Sequence, residues 1–419
     1  MRNLSLSASI FCFVLVLQLS YSQQGWVQQT SGTNLNLNCI YFVNSNTGYI
    51  GADSGRVLKT TNGGNIWITY NTGIQSSVYS VQFPNSLTGF AGTVNNKTIR
   101  TNNGGINWDT SGTRGGRSVS FVNTDTGFSS RAYPNAIYRT TNSGASWDSA
   151  GYFYTLNPPN KILFLNYSTG YAIGLDWDLH NFYFTFIGKT TNAGQTWTFP
   201  HYSGVLPSGG MYDICFPNNN TGFAVGSQYN PILFKSTNGG QNWSLNSLPQ
   251  TMFSVIFTDT SNGWLCGSGG SILFSSNGGT NWSNQISGVT SSLKQIFMLN
   301  QNTGWICGAN GTILYTNNGG LTGLEPMNNT LPVVFSLYQN YPNPFNPTTK
   351  IHFDLPKNSF TKIVVYDVLG RELETIVNEQ LNAGSYTANW NASNYPSGVY
   401  FYKLTSGDYS ATKKMVLIK

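Results

Sequence analysis

Along residues 25–320 short apolar runs alternate with clusters of Asn, Gly, Ser and Thr. One stretch shows the pattern in full. Val78–Phe83 reads as an apolar strand, Gly89–Thr93 as a second, Thr98–Thr101 as a third and Asn107–Thr110 as a fourth. Between the third and fourth lies Asn-x-Gly, a hairpin signal: the Asn side chain bonds backbone two residues on, and Gly tolerates positive φ. Beyond residue 334 the alternation predicts strands at Lys350–Asp354, Thr361–Asp367, Ser385–Trp390, Val399–Leu404 and Ser410–Leu417, with a turn at Val368–Glu372. Such alternation with Gly/Pro turns predicts a small antiparallel sandwich. Three prolines, Pro342, Pro344 and Pro347, predict an extended lead-in to it.

The first pattern repeats. A phrase of the form Lys-Thr-Thr-Asn-Gly-Gly-Asn-Ile-Trp runs from Lys59 to Trp67 and recurs at Arg100–Trp108, Arg139–Trp147, Lys189–Trp197, Lys235–Trp243 and Phe274–Trp282. A seventh begins at Tyr315, with Gly323 where Trp is expected. Each is preceded by Gly and an aromatic: Gly48-Tyr49, Gly89-Phe90, Gly127-Phe128, Gly170-Tyr171, Gly222-Phe223, Gly263-Trp264 and Gly304-Trp305. The spacing is about 40 residues, that of propeller blades. A four-stranded blade has too little core to stand alone, so the repeats must bury one another's faces. An orphan Trp26 precedes the first repeat, in a context matching Trp108, and supplies the indole the last repeat lacks. The expected fold is therefore all-β: a seven-bladed β-propeller whose ring is closed by the N-terminal strand, plus a small C-terminal antiparallel β-sandwich.

The repeated phrase resembles the Asp-box (BNR) superfamily pattern Ser/Thr-x-Asp-x-Gly-x-x-Trp. The matching positions are Asn62, Gly64 and Trp67; Asn103, Gly105 and Trp108; Asn142, Gly144 and Trp147; Asn192, Gly194 and Trp197; Asn238, Gly240 and Trp243; Asn277, Gly279 and Trp282; and Asn318 and Gly320 with Trp26. Every box carries Asn where the family usually has Asp. With the Gly-aromatic phrase before each box, the repeats look most like the photosystem II assembly/stability factor type. The resemblance implies a fold; the box serves enzymes and binders alike.

Residues 335–419 resemble the type A sorting domain of the type IX secretion system. The pieces that carry this are Tyr341-Pro342-Asn343-Pro344, Val365-Tyr366-Asp367, Leu369-Gly370-Arg371, Gly398-Val399-Tyr400-Phe401 and the terminal Lys413-Lys414-Met415-Val416-Leu417. The resemblance implies export through the outer membrane by the secretion machinery, then removal of the tail, with release or attachment to surface lipopolysaccharide. The amino terminus fits this route. Met1–Asn3 gives a positive start, Ile10–Leu19 an apolar stretch too short to span a bilayer, and Ser20 and Ser22 a cleavage site before Gln23. The expected organisation is a signal peptide at 1–22, the propeller at 23–320, a linker at 321–334 and the sorting domain at 335–419. The expected location is the medium or the outer-membrane surface.

Composition narrows the function. Charged residues are 9% of the chain and aromatics 14%, which excludes disorder for most of it. Glu, Lys, Ala and Leu are scarce, which argues against a helical protein. The net charge of +6 is spread over 419 residues without a Lys/Arg cluster, so nucleic acid is not an expected partner. Between Gln23 and Gly320 there are eight Asp and no Glu. No Glu is available to activate a Tyr as a sialidase-like site requires, and a carboxylate pair would need Asp alone. Arg56, Arg100 and Arg139 sit near boxes and read as structural; Asp53, Asp109, Asp125 and Asp148 read as solvated. Cys39, Cys215, Cys266 and Cys307 sit in apolar runs and read as buried thiols, a Cys266–Cys307 bridge being the alternative. No catalytic residue, metal or cofactor is expected.

What remains is a binding surface. The fourth repeat is expanded, with long connections at Ala150–Asn160, Leu175–Tyr183 and Phe199–Gly210. They carry Tyr152, Phe153, Tyr154, Trp177, His180, His201 and Tyr202; neighbouring connections add Arg114, Arg117, Arg131 and Tyr133. Asp176, Asp178 and His180 make an incomplete metal-ligand set, read as a polar loop. Aromatics with Arg and few acids suit an unknown protein or glycan ligand better than catalysis. The expected function is an exported, non-catalytic binding or scaffold propeller, the alternative being a surface glycan binder or a sialidase-like glycan hydrolase.

Overall fold

The computed structural model describes residues 25–95, 97–110, 115–132, 135–152, 158–177, 183–202, 210–227, 230–320, 324–326, 332–381 and 383–419. The leader expected at 1–22 lies outside them. The chain divides into two compact units, one spanning Gln24–Thr322 and the other containing Gly323–Lys419.

The larger unit is all-β. Its described residues form seven small antiparallel sheets. The first runs Leu37–Phe42, Gly48–Ala52, Arg56–Thr60 and Ile68–Asn71, each strand pairing with the next. Sheets of the same order begin at Val78, Val119, Lys161, Gly210, Met252 and Leu293. In the second sheet the three strands Val78–Gln82, Gly89–Thr93 and Thr98–Thr101 form as read from the sequence. The fourth shrinks to a single bridge between Arg100 and Asp109. In the seventh sheet the outer strand comes from the other end of the unit: Val27–Gln29 pairs with Ile313–Tyr315.

Six boxes fold by the same three hydrogen bonds. Thr60 Oγ1 donates to Asn62 Oδ1 (3.0 Å) and accepts from the Gly64 amide (2.9 Å), while Asn62 Oδ1 also accepts from the Ile66 amide (2.9 Å). The set recurs around Asn103, Asn142, Asn192, Asn238 and Asn277. Thr316 repeats the first two bonds with Asn318 and Gly320. Only a side-chain oxygen two residues past the hydroxyl is required, so Asn replaces Asp without loss. At Asn142 and Asn192 the amide nitrogen adds a bond to Ser146 and Thr196.

The Gly-aromatic phrase builds the contact between sheets. Tyr49, on the second strand of the first sheet, stacks on Phe83 of the second sheet with centroids 3.5 Å apart and planes 6° from parallel. The same stack joins Phe90 to Phe121, Phe128 to Phe164, Tyr171 to Phe216 and Phe223 to Phe257. Trp264 packs with Met298 in one apolar cluster, and Trp305 of the seventh sheet stacks on Phe42 of the first at 3.6 Å. In the first six sheets the box Trp then meets the same Phe edge-on, as Trp67 does Phe42. Trp26 joins Trp264, Met298 and Leu314 in the corresponding place, its indole N–H donating to Gln285 Oε1 at 2.8 Å. Where the stacking residue is Tyr or Trp, its polar handle reaches the next box. Tyr49 donates to the Gly104 carbonyl, Tyr171 to Gly239, Trp264 to Gly319 and Trp305 to Gly63. The glycine of the phrase is needed because the Phe ring lies flat on its Cα; a Cβ on Gly48 or Gly89 would overlap Phe42 or Phe83.

Cys39, Cys215, Cys266 and Cys307 are buried and unbridged. Burial pushes the Cys39 thiol up to about 12 and raises the other three, which keeps them protonated.

The smaller unit is a two-sheet sandwich. One sheet orders Leu324–Pro326, Gly384–Asn391, Thr348–Leu355 and Ser336–Leu337; the other orders Glu372–Leu381, Ser359–Tyr366, Gly398–Ser406 and Tyr409–Leu417. Phe345, Phe353, Trp390, Tyr402 and Met415 fill its core. Three strands were not expected, the short Ser336–Leu337 among them. Glu372–Leu381 follows the Asp367–Arg371 turn directly, and Leu324–Pro326, inside the segment read as a linker, pairs with Tyr386–Ala388.

Gly89→Ala is expected to cost roughly 1–3 kcal/mol by overpacking Phe83, read as a lowered denaturant midpoint of the larger unit. An unchanged midpoint would show that this close approach is unnecessary.

Candidate functional site

The first strand of each sheet has one edge paired with its own sheet and the other facing the remaining sheets. Amides on that edge need acceptors, since a buried unpaired N–H costs about 1–3 kcal/mol. Side chains of the preceding sheet's first strand supply them. Ser80 Oγ accepts from the Val119 amide, Ser118 Oγ from Ile162, Ser254 Oγ from Ile296, and Gln295 Oε1 from Ile40. Farther along the same strands, Gln82 Oε1 accepts from Phe121 and Ser120 Oγ from Phe164.

Asp213 is the acidic member of this series. It is 5% exposed and fully engaged. Oδ1 takes Lys161 Nζ at 2.9 Å and the Ile214 amide; Oδ2 takes Ser254 Oγ at 2.5 Å and the Val255 amide at 3.1 Å. One carboxylate thus ties the fourth, fifth and sixth sheets together. With both oxygens occupied it has no role as a free acid or base.

One residue earlier on the same strands the register slips. Pairing skips Asn38 between Leu37 and Cys39, and likewise Tyr79, Tyr212, Phe253 and Lys294. A bulge of this kind leaves its extra residue unpaired and re-aims the side chain. In the fourth sheet the Asn160 amide and Lys161 both oppose Ile173. In the third, Arg117 holds the matching place, four residues before Phe121 as Asn38 is before Phe42. These seven side chains, one from each sheet, line a single cavity of about 340 Å³ with Lys161, Met211, Asp213 and Gln295.

Within it Arg117 lies over the Tyr79 ring, 4.3 Å from the centroid, and donates to Asn160 Oδ1 at 3.4 Å. Lys294 lies over Phe253 at 4.7 Å, and Tyr212 meets that ring edge-on. Burial pulls the Arg117 guanidinium down from its usual value, although the side chain keeps solvent contact at the rim. Asn38 Nδ2 donates to Asp53 Oδ1. Partial burial raises the Asp53 pKa, but donors from Asn38, Asn36 and Ser77, with the field of Lys294, outweigh it and hold the carboxyl low.

Of the surface read from the sequence, Arg117 alone among the described side chains lines this cavity. Arg131 is engaged in its own sheet, with Nη1 donating to Tyr138 Oη at 3.2 Å. His201 packs on Phe234 of the next sheet, and burial lowers its pKa. Tyr152 ends an outer strand and is 58% exposed. Arg114, Tyr133, Phe153, Tyr154 and His180 lie outside the described residues, as do the side chains of Trp177 and Tyr202. Asp176, read as part of a polar loop, is instead buried in the strand Gly170–Trp177; Asp178 lies outside the described residues. Among the described residues no three His, Cys, Asp or Glu side chains group as metal ligands would. The cavity's other lining residues were missed. For Asn38, Tyr79, Asn160, Tyr212, Phe253 and Lys294 the signal is positional: each stands four residues before the residue that packs on the glycine of the Gly-aromatic phrase.

Comparison with known proteins agrees with this architecture. Residues 205–284 and 247–333 match the family profile of the photosynthesis system II assembly factor YCF48, and residues 339–419 that of the secretion system C-terminal sorting domain. Similar solved structures include YCF48 bound to D1 peptide (18% identity, 71% of this chain and 98% of that one, TM-score 0.54). Another is YCF48 from Cyanidioschyzon merolae (20%, 70% and 98%, TM-score 0.53). A third is PorZ, a bacterial surface component of the type-IX secretion system of Porphyromonas gingivalis (14%, 93% and 60%, TM-score 0.54). The WD40 β-propeller domain of Doa1 also matches (9%, 70% and 97%, TM-score 0.54). A search of curated proteins by sequence gives no match.

Asp213→Ala leaves Lys161 without its partner and Val255 and Ser254 without an acceptor. The expected cost is about 3–5 kcal/mol, measured by denaturant unfolding of the larger unit. A loss below 1 kcal/mol would show that the carboxylate is not the tie described.

Proposed function

We propose that this chain is an exported, non-catalytic binding or scaffold protein. Its larger unit is a seven-bladed propeller closed by its own N-terminal strand, and its carboxy-terminal sandwich directs type IX secretion. The closed ring is supported by two contacts between chain ends: Val27 pairs with Tyr315, and Trp305 stacks on Phe42 as each of the first five sheets stacks on its successor. Trp26→Ala is expected to cost about 3–5 kcal/mol, measured as loss of stability of the propeller; a negligible cost would sink the closure.

The binding role rests on one observation: seven equivalent strand positions, one per sheet, place side chains of five types around a single cavity. A packing position would keep one residue type; these hold Asn, Tyr, Arg, Phe and Lys. Among the described residues the one carboxylate in the lining, Asp213, is saturated, which favours recognition over acid–base chemistry. Propellers suit such a role, as a YCF48 structure with a bound peptide illustrates. A labelled propeller should bind the surface of the cells that secrete it, and Tyr212→Ala with Phe253→Ala should weaken this at least tenfold. Equal binding by both forms would remove the cavity from function.

The export reading rests on the match of residues 339–419 to the sorting domain. On this reading residues 1–22 are a cleaved leader. The tail engages the secretion machinery and is then removed, leaving the propeller in the medium or on surface lipopolysaccharide. Deleting residues 335–419 should trap the protein in the periplasm, seen by fractionation and immunoblotting. Unaltered appearance of the truncated form outside the cell would overturn it.

A further inference from the structure

The cavity's charge and hydrogen-bonding balance narrow its ligand, given that the cavity is a binding site as proposed above. Three cationic side chains and one carboxylate line it. Lys161 is neutralised by Asp213. Arg117 and Lys294 make no ion pair among the described residues; each is held over an aromatic ring instead. A ring face orients a cation but leaves its outward N–H groups unsatisfied.

The neutral groups tilt the same way. Tyr79 and Tyr212 have hydroxyls without a hydrogen bond among the described residues, and Gln295 commits its oxygen to the Ile40 amide while its Nε2 has no partner there. Arg117, Lys294 and Gln295 Nε2 can only donate, whereas Asp213 is saturated and Asn160 Oδ1 takes Arg117, which leaves Asn38 Oδ1 and the tyrosine oxygens as the acceptors. The lining is rich in donors and poor in acceptors. A peptide backbone pairs every carbonyl acceptor with an N–H donor, and the lining can serve those N–H groups only at Asn38 Oδ1 and the tyrosine oxygens. A polyol's hydroxyls serve as acceptors, and a carboxylate is acceptor only.

We propose that the cavity binds a polyhydroxylated carboxylate of the sugar-acid class, its carboxylate held by Arg117 and Lys294 and its hydroxyls by the tyrosines and Gln295. Charge-assisted bonds to the carboxylate carry affinity, and the hydroxyl contacts separate this ligand from a bare anion. The attraction operates near a solvated rim, so it weakens as salt is raised.

The test uses the exported full chain and titration calorimetry with four probes: tri-galacturonate, its neutral galactose counterpart, a Glu/Asp hexapeptide and inorganic phosphate. The expected result is binding of tri-galacturonate at least tenfold tighter than the other three, weakening between 50 and 500 mM NaCl on the order of the screening of exposed charges. Arg117→Gln and Lys294→Gln should each weaken it at least tenfold, Arg117→Lys should keep part of it, and Lys403→Gln in the tail should leave it unchanged. Lys294 stands on a different sheet from Arg117, so its variant stays informative should the Arg117 variants fold poorly. Equal binding of the neutral trisaccharide, preferential binding of the peptide or phosphate, or indifference to Lys294→Gln would each overturn the proposal. No binding of tri-galacturonate overturns it too; if cell-surface binding still depends on Tyr212 and Phe253, the broader reading stands and only the ligand class falls.

Discussion

The larger unit depends on how it treats the open edge of each sheet's first strand. Such an edge presents unpaired amides, which in an isolated sheet would recruit another strand. Here the amides bond side chains of the neighbouring sheet: serines in the second, third and sixth sheets, Asp213 in the fifth and Gln295 in the seventh. The residue type is free to vary because only an acceptor of suitable reach is demanded. Gln295 bonding Ile40 extends the series from the last sheet to the first.

That arrangement separates three demands along a six-residue strand. The Phe at its end is fixed by the glycine beneath it and by an indole against its edge. The residue three places earlier caps the neighbouring amide. The residue before that lines the shared cavity, and its type varies from sheet to sheet. Burial per sheet is modest, and each stack adds about 0.5–1.5 kcal/mol beyond it, so stability accrues through repetition. Met298 in place of Phe and Asn318 without a following Trp are tolerated in the seventh sheet because Trp264 and Trp26 close over the site.

Much of this was legible in the sequence, for a physical reason. The box and the Gly-aromatic phrase are local: hydrogen bonds within five residues and a ring over a glycine leave a fixed signature. Trp26 was legible as the missing partner because its flanks copy those of Trp108. The sorting tail was legible from its motifs, but Glu372–Leu381 was not. Its residues are half charged or polar, and its inward side chains become apparent only once Ser359–Tyr366 pairs with it. The cavity was not legible because its residues share position and not type. Arg117 was singled out for its charge, whereas Tyr79, Phe253 and Lys294 looked like ordinary strand residues. Asp213 was passed over within an apolar strand, although a carboxylate there must find partners to be buried at all. Asp176, read as loop, belongs to a strand that runs farther than the fourth repeat's polar composition implied.

The bulge is the step that links stability to recognition. In a regular strand the residue before the capping position would point between sheets and be held to the apolar size that stacking allows. Slipping the register at that place turns it toward the shared cavity, where polar and charged groups keep contact with water. Cations gathered there would repel one another and lose hydration if buried outright. Arg117 on Tyr79 and Lys294 on Phe253 reduce both penalties, since a ring face supplies attraction without a direct ion pair, and Lys294 also lies in the field of the Asp53 carboxylate. A carboxylate in either place would end the surplus, as Asp213 does for Lys161. The charge left over is therefore a property of the lining that the fold tolerates and does not require, which is why its explanation belongs to what the cavity holds.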